Sequence, residues 1–306
     1  MPILFFGTPR FAVPALDALV ESGETLSLVV TQPDRRKGRD HYPSPPPVKI
    51  AAAHHKIPVE QPLKLNDHYF LDKLKALSPE FIVVIAYGKI LPREILDIPT
   101  GGCLNVHASL LPAYRGAAPV QWSLIKGEKV TGVTTMLMDE GMDTGSILIR
   151  REVAIARKDD GQTLSDRLSR VSAALLIETL RSLRSNTVQP KPQEGVPSYA
   201  PSLTKEEGRI NWQRDAEDLF NFVRGMYPWP CAFSFFRDKY IKILETEPIA
   251  GTGRPGTIAA ITPTDIQVGT KNGLLSIKKV QMEGKKPVDA LSFINGYRVK
   301  VGESFD

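Results

Sequence analysis

The chain has 306 residues and a mass of 33.8 kDa, room for two domains of ordinary size. Hydrophobic residues make up 42%, and 23 glycines bring the apolar share to about half, which excludes disorder over the whole length. Lysine and arginine number 39 against 34 acidic residues, so at a net charge of +5 any nucleic-acid binding must rest on a local patch.

In chain order, residues 2–6 form a short apolar strand that ends at the Gly7-Thr8-Pro9 turn. Val13, Leu16, Leu19 and Val20 then recur at helical spacing until Gly23 stops the helix. Residues 26–31 read as a second buried strand, and Asn66 as the N-cap of a helix carrying Phe70, Leu74 and Leu77. Strands are expected at 81–87, 103–107, 132–138 and 147–155, and a long amphipathic helix over 163–183. This alternation predicts an α/β fold, a Rossmann-like and mainly parallel sheet with helices on both faces. Residues 186–204 carry four prolines and no apolar period, and read as a linker. Beyond them lie a helix at 216–226 and short strands at 232–236, 240–244, 256–261, 265–268 and 274–280. That spacing predicts a smaller C-terminal all-β, OB-like barrel. The expected divisions are 1–188, a linker at 189–206, and 207–306.

The run 81–87 is the longest apolar stretch, far short of a membrane span. The opening MPILFFGTPRF has no basic leader segment, so the bacterial cytoplasm is the expected location and no membrane partner is expected. Two cysteines, Cys103 and Cys231, make at most one disulfide and no zinc cluster. His54 and His55 are adjacent, a poor spacing for metal ligands on a helix, so no metal is expected. Gly251-Thr252-Gly253-Arg254-Pro255-Gly256 matches a dinucleotide-binding pattern, but a proline stands where the helix would begin, and a turn is the better reading.

Two stretches remain unusual. Residues 32–47 hold five prolines and the basic residues Arg35, Arg36, Lys37 and Arg39. They read either as a solvated surface loop or as an arm that grips phosphates. In NVHASLLPAYRGAAP (105–119), strand alternation puts Asn105 and His107 on one face at the carboxyl end of a strand, where open α/β sheets place ligands. Downstream, in DEGMDTG (139–145), two glycines frame Asp143. An imidazole can move protons at neutral pH, a carboxylate steadies the imidazolium, and an amide can donate to a developing oxyanion. The three together suit acyl transfer, although a structural hydrogen-bonded pair accounts for Asn105 or His107 taken singly. Cys103 shares their face in principle, but strand core is the ordinary place for such a cysteine.

These two motifs resemble the signature of the 10-formyltetrahydrofolate-dependent formyltransferases. The similarity continues through FFGTPRFAVPALDAL, TQPDRRKGR, IVVIAYGKILP, SYAPSLTKEEGRINW and PWPCAFS, nearly the whole length, and favours the tRNA-directed branch of that family. The resemblance implies 10-formyltetrahydrofolate as co-substrate, initiator methionyl-tRNA as acceptor and a monomer. It implies Asn105, His107 and Asp143 as catalytic residues. The folate would be held by Ile85, Tyr87, Ser109, Leu110, Leu111, Pro112, Asp139 and Gly141, and the tRNA by Arg35, Arg36, Lys37 and Arg39. Lys278, Lys279, Lys285 and Lys286 add either a second basic face or ordinary solvated charge. Alternatives are a sugar-amine formyltransferase, a formyl-folate hydrolase that uses water as acceptor, and a non-catalytic RNA-binding module on the same scaffold.

Overall fold

The computed structural model describes residues 1–36 and 43–306. The chain divides into two compact units. The first comprises Met1–Pro119, Val130–Ala154 and Ser165–Pro201, and the second Val120–Lys129, Ile155–Leu164 and Ser202–Asp306.

The first unit is built on β1 (Ile3–Gly7), β2 (Leu26–Val30), β5 (Val59–Glu60), β6 (Phe81–Ile85), β7 (Cys103–His107), β8 (Val130–Leu137) and β9 (Ile147–Ala154). These form one seven-stranded sheet in the order β5-β2-β1-β6-β7-β8-β9. The pairings from β5 to β7 are parallel, while β7–β8 and β8–β9 are antiparallel. Every residue of β1 and β6 is buried, so the centre of the sheet is covered on both faces. On one face Leu4, Phe6, Ile82 and Val84 pack with Phe70, Leu71 and Leu74 of helix α3 (His68–Ala76). The cap of α3 is Asp67, whose carboxylate accepts from the Phe70 N–H at 3.1 Å. Asn66, expected in that role, lies one residue too early. Helix α1 (Val13–Glu21) matches its expected span, and α2 (Pro47–His54) begins on a proline whose missing N–H costs nothing at that position. A short α4 (Arg93–Leu96) precedes β7.

Residues 32–47, expected as one polar loop, include two short strands. Strands β3 (Arg35–Arg36) and β4 (Pro43–Ser44) pair antiparallel as the stem of a hairpin. Its base is fastened by Asp34, which accepts from Lys49 Nζ at 2.9 Å and from Gln61 Nε2 at 2.8 Å. Lys37 and Arg39 lie outside the described residues.

The second unit contains α5 (Pro119–Ile125) from Val120 onward and the opening of α6 (Gly161–Arg184), with α7 (Ala216–Met226) and a six-stranded antiparallel sheet. Its strands are β10 (Ala232–Phe236), β11 (Lys239–Ile249), β12 (Ile258–Ile261), β13 (Ile266–Gly269), β14 (Leu274–Met282) and β15 (Val288–Asp289), followed by α8 (Ala290–Tyr297). The path runs β10-β11-β14-β13-β12, with β15 on β14. Phe305 bridges Phe236 and Ser304 bridges Thr257, so the chain terminus links the two edges of the sheet. Gly251–Gly256 precedes a strand rather than a helix, as its proline requires.

The carboxyl end of α6 is tied to the first unit's sheet by charge. Arg184 donates to both oxygens of Glu80 and to both of Glu24, the shortest contacts being 2.7 Å. The guanidinium holds the Glu80 carboxyl below its ordinary 4.5. Its stabilising effect is therefore complete above that value and is lost as the pH falls through the lowered one. Arg184→Met should cost about 2 kcal/mol at pH 7, since it strands two poorly exposed carboxylates. The difference from wild type should shrink as the medium is acidified below pH 4.5, as urea titrations at several pH values would show.

Candidate functional site

Strand β7 ends at His107, and its alternation points Asn105 and His107 the same way. The turn that follows β8 carries Asp143, and the three side chains meet. Asn105 Nδ2 donates to Asp143 Oδ1 at 3.2 Å, and His107 Nδ1 lies 3.6 Å from Asp143 Oδ2. The backbone N–H of Gly116 donates to that same oxygen at 2.8 Å. Gly116 has φ +122, and a Cβ there would collide with the Ala200 carbonyl, so the close approach requires glycine. His107 is 7% exposed and Asp143 14%, while Asn105 is half-buried.

The imidazole orientation is fixed from the other side. His107 Nε2 lies 2.9 Å from the Tyr114 carbonyl oxygen, which only accepts, so Nε2 carries a hydrogen. Nδ1, the other ring nitrogen, faces the Asp143 carboxylate. At 3.6 Å it is beyond hydrogen-bond length, which leaves an Nδ1 proton available to a third group. The Asn105 amide likewise has two N–H bonds and spends one on Asp143.

The loop after β7 is shaped by Thr134, the register partner of His107. Its hydroxyl donates to Ser109 O at 2.7 Å and accepts from Leu111 N at 3.1 Å. Ser109 Oγ closes the turn on Ala113 O at 2.6 Å. Leu111 is buried with Met136 and Ile147, and Leu110 and Pro112 are half-buried. Thr134 was not foreseeable, because a threonine inside a strand carries no local signal. Ile85 and Tyr87 flank the exposed Ala86, whose φ is +47. The Tyr87 ring packs edge-on against Phe6 and burial pushes its phenol up to about 12, so only its backbone is available to a ligand.

Asp139 Oδ1 accepts from Gly141 N at 3.0 Å and Thr144 Oγ1 at 2.6 Å, which shapes the turn. Asp139 and Gly141 also line a cleft of about 470 Å³ with Arg93, Leu96, Asp97, Met138 and Glu140. A larger cavity, about 760 Å³, lies in the second unit among Arg157, Arg224, Lys242, Lys278 and Lys279 and contains none of the three convergent residues. Arg35 is exposed, Lys278 is paired with Glu247, and Lys279, Lys285 and Lys286 are exposed. Cys103 packs in the apolar core beside Leu96 rather than joining the site. Among the described residues there is no group of three or more His, Cys, Asp or Glu side chains arranged to hold a metal, and no helix long and apolar enough to cross a membrane.

The sequence model of the formyl transferase family matches residues 1–180, and that of the formyl transferase C-terminal domain matches 202–298. The methionyl-tRNA formyltransferase of Thermodesulfovibrio yellowstonii is 53% identical over 300 residues, 98% of this chain and 97% of that protein. Among solved structures, the methionyl-tRNA formyltransferase from Clostridium thermocellum superposes with a TM-score of 0.57 at 19% identity, covering 81% of this chain and 93% of that one. HypX from Aquifex aeolicus in complex with tetrahydrofolic acid gives 0.67 at 18% identity. It covers 99% of this chain, which spans about half (48%) of HypX.

Burial pushes the Cys103 thiol up to about 12 and raises that of Cys231 as well. Only the thiolate attacks, so neither cysteine should react with a maleimide within minutes at neutral pH in the native fold, and both should react in urea. Rapid native labelling of Cys103 would return it to consideration as a nucleophile.

Proposed function

Because this chain belongs to the formyl transferase family, we propose that it moves the formyl group of 10-formyltetrahydrofolate onto the α-amine of methionine carried by initiator tRNA. The observation that carries the reading is the convergence of Asn105, His107 and Asp143 at the carboxyl end of β7.

In this reading the free amine attacks the formyl carbon. The new C–N bond forms, the carbonyl oxygen takes the negative charge, and the bond to folate N10 then breaks. Asn105 gives its unspent N–H to that oxygen, and His107 gives the proton on Nδ1. Asp143 keeps the imidazolium charge balanced, while its contacts to Asn105 and Gly116 fix where it stands. The proton lost by the amine ends on N10, relayed along this cluster. The amine is already a competent nucleophile, so no covalent enzyme intermediate is required, and alignment supplies much of the acceleration.

Backbone at 85–87, the loop 109–112 and the turn at 139–141 are proposed to hold the folate, the cleft beside Asp139 supporting the last of these. Arg35, Arg36, Lys37 and Arg39 are proposed to contact tRNA phosphates, the first two lying on the fastened strand β3. The basic residues in the second unit, from Lys242 to Lys286, suit the same polyanion. Residues 189–206 are proposed to divide a catalytic domain from a tRNA-binding one.

One incubation tests the activity: the protein, labelled formyl donor and methionyl-tRNA should yield formyl-methionyl-tRNA. Free formate alone would identify a hydrolase instead. Asn105→Ala, His107→Ala and Asp143→Asn should each lower kcat by about 10²–10³, and the double variants by much less than the product. Replacing Arg39 should raise KM for tRNA several-fold and leave KM for folate nearly unchanged, as steady-state kinetics on each substrate would show.

A further inference from the structure

Gln193 lies in the proline-rich stretch between the two family-matched segments, and its carboxamide is fully engaged. Oε1 accepts from Arg115 Nε at 3.2 Å and Nη2 at 2.7 Å. Nε2 donates to the carbonyls of Asp143 at 2.8 Å and Gly145 at 2.9 Å. Two donor hydrogens and two acceptor lone pairs are all a carboxamide has. Arg115 is itself held by its backbone, which donates to Ser198 O at 2.9 Å and accepts from Ala200 N at 2.7 Å.

The turn that Gln193 grips needs holding. Asp143 sits at φ +53, a left-handed conformation that costs an L residue about 1–2 kcal/mol. Its neighbours 139–142 and Thr144 are exposed, so burial contributes little to fixing them. The hydrogen bonds form a closed circuit. Asp143 reaches Gly116 through its carboxylate, Arg115 reaches Gln193 through its guanidinium, and Gln193 returns to the Asp143 backbone.

We infer that Gln193 is a positioning residue for formyl transfer, holding the Asp143 turn so that its carboxylate stays between Asn105 and His107. This rests on the catalytic roles proposed above. Gln193 touches no reacting atom and acts only through Asp143. The dispensable alternative is a purely structural strap, which would affect stability and not the chemical step.

The experiment measures kcat and KM for Gln193→Met, which keeps the length and removes all four hydrogen bonds, in wild-type and Asp143→Asn backgrounds. With Asp143 present, kcat should fall about 10–100-fold while both KM values move less than about 3-fold. In the Asp143→Asn background the same substitution should cost less than about 3-fold, because the group it positions is already disabled. Arg115→Gln, which frees the carboxamide from its anchor, is the second variant and should show the same dependence on background. Full kcat in Gln193→Met, or equal losses in both backgrounds for both variants, would overturn the positioning role alone. A wild-type protein that forms no formyl-methionyl-tRNA in this assay would overturn the functional reading and the inference with it.

Discussion

A carboxylate that is only 14% exposed has to be met by donors, and Asp143 meets two, with an imidazole 3.6 Å away. The Asn105 amide comes from within β7, the Gly116 N–H from the loop after it, and the imidazole from the strand's last residue. Satisfying one anion therefore draws a strand end, a loop and a distant turn into a single place. The glycine at 116 follows from the same demand, since a side chain there would strike the Ala200 carbonyl and lift the N–H away. Left-handed backbone at Tyr114 and Asp143 is the cost of the convergence, and it sits where the donors cluster.

The sheet explains why this happens at β7. Five parallel strands end on one side, and β7 is the last of them before the direction reverses at β8. An open α/β sheet leaves its ligand site beyond the carboxyl ends of its parallel strands, near the place where the strand order reverses. Here that place lies between β1 and β6, next to β7. The antiparallel β8 also supplies Thr134 opposite His107, so the strand that ends the parallel run shapes the loop beside the imidazole. The core beneath is apolar and holds Cys103 as packing, which keeps the thiol out of the chemistry.

The rest of the chain carries the basic residues proposed to meet a large, charged acceptor. A hairpin stem ends in Arg35 and Arg36, with its base pinned to Lys49 and Gln61 through Asp34. In the second unit Lys279 on β14 and Lys285 and Lys286 in the turn after it are exposed. A small amine acceptor would need neither feature, and water would need less still.

Alternating apolar runs determined the two fold classes, because burial on one face or both imposes a period that survives in any sequence that folds this way. Helix 216–226 and strand 232–236 are read correctly to the residue. Local chemistry also made Asn105, His107 and Asp143 conspicuous, since polar groups on a buried strand and glycines around an aspartate have few ordinary uses. Short elements were less legible: β5 has two residues, α4 has four, and neither is long enough to show a period. What only the tertiary structure decided is the company those three residues keep. Gln193 and Thr134 carry no local signal, and residues 186–204, bare of apolar pattern, are engaged through backbone and amide hydrogen bonds at Lys191, Gln193, Ser198 and Ala200. A hydrogen bond across 50 residues of chain, such as Gln193 to Asp143, depends on geometry that composition and periodicity do not encode.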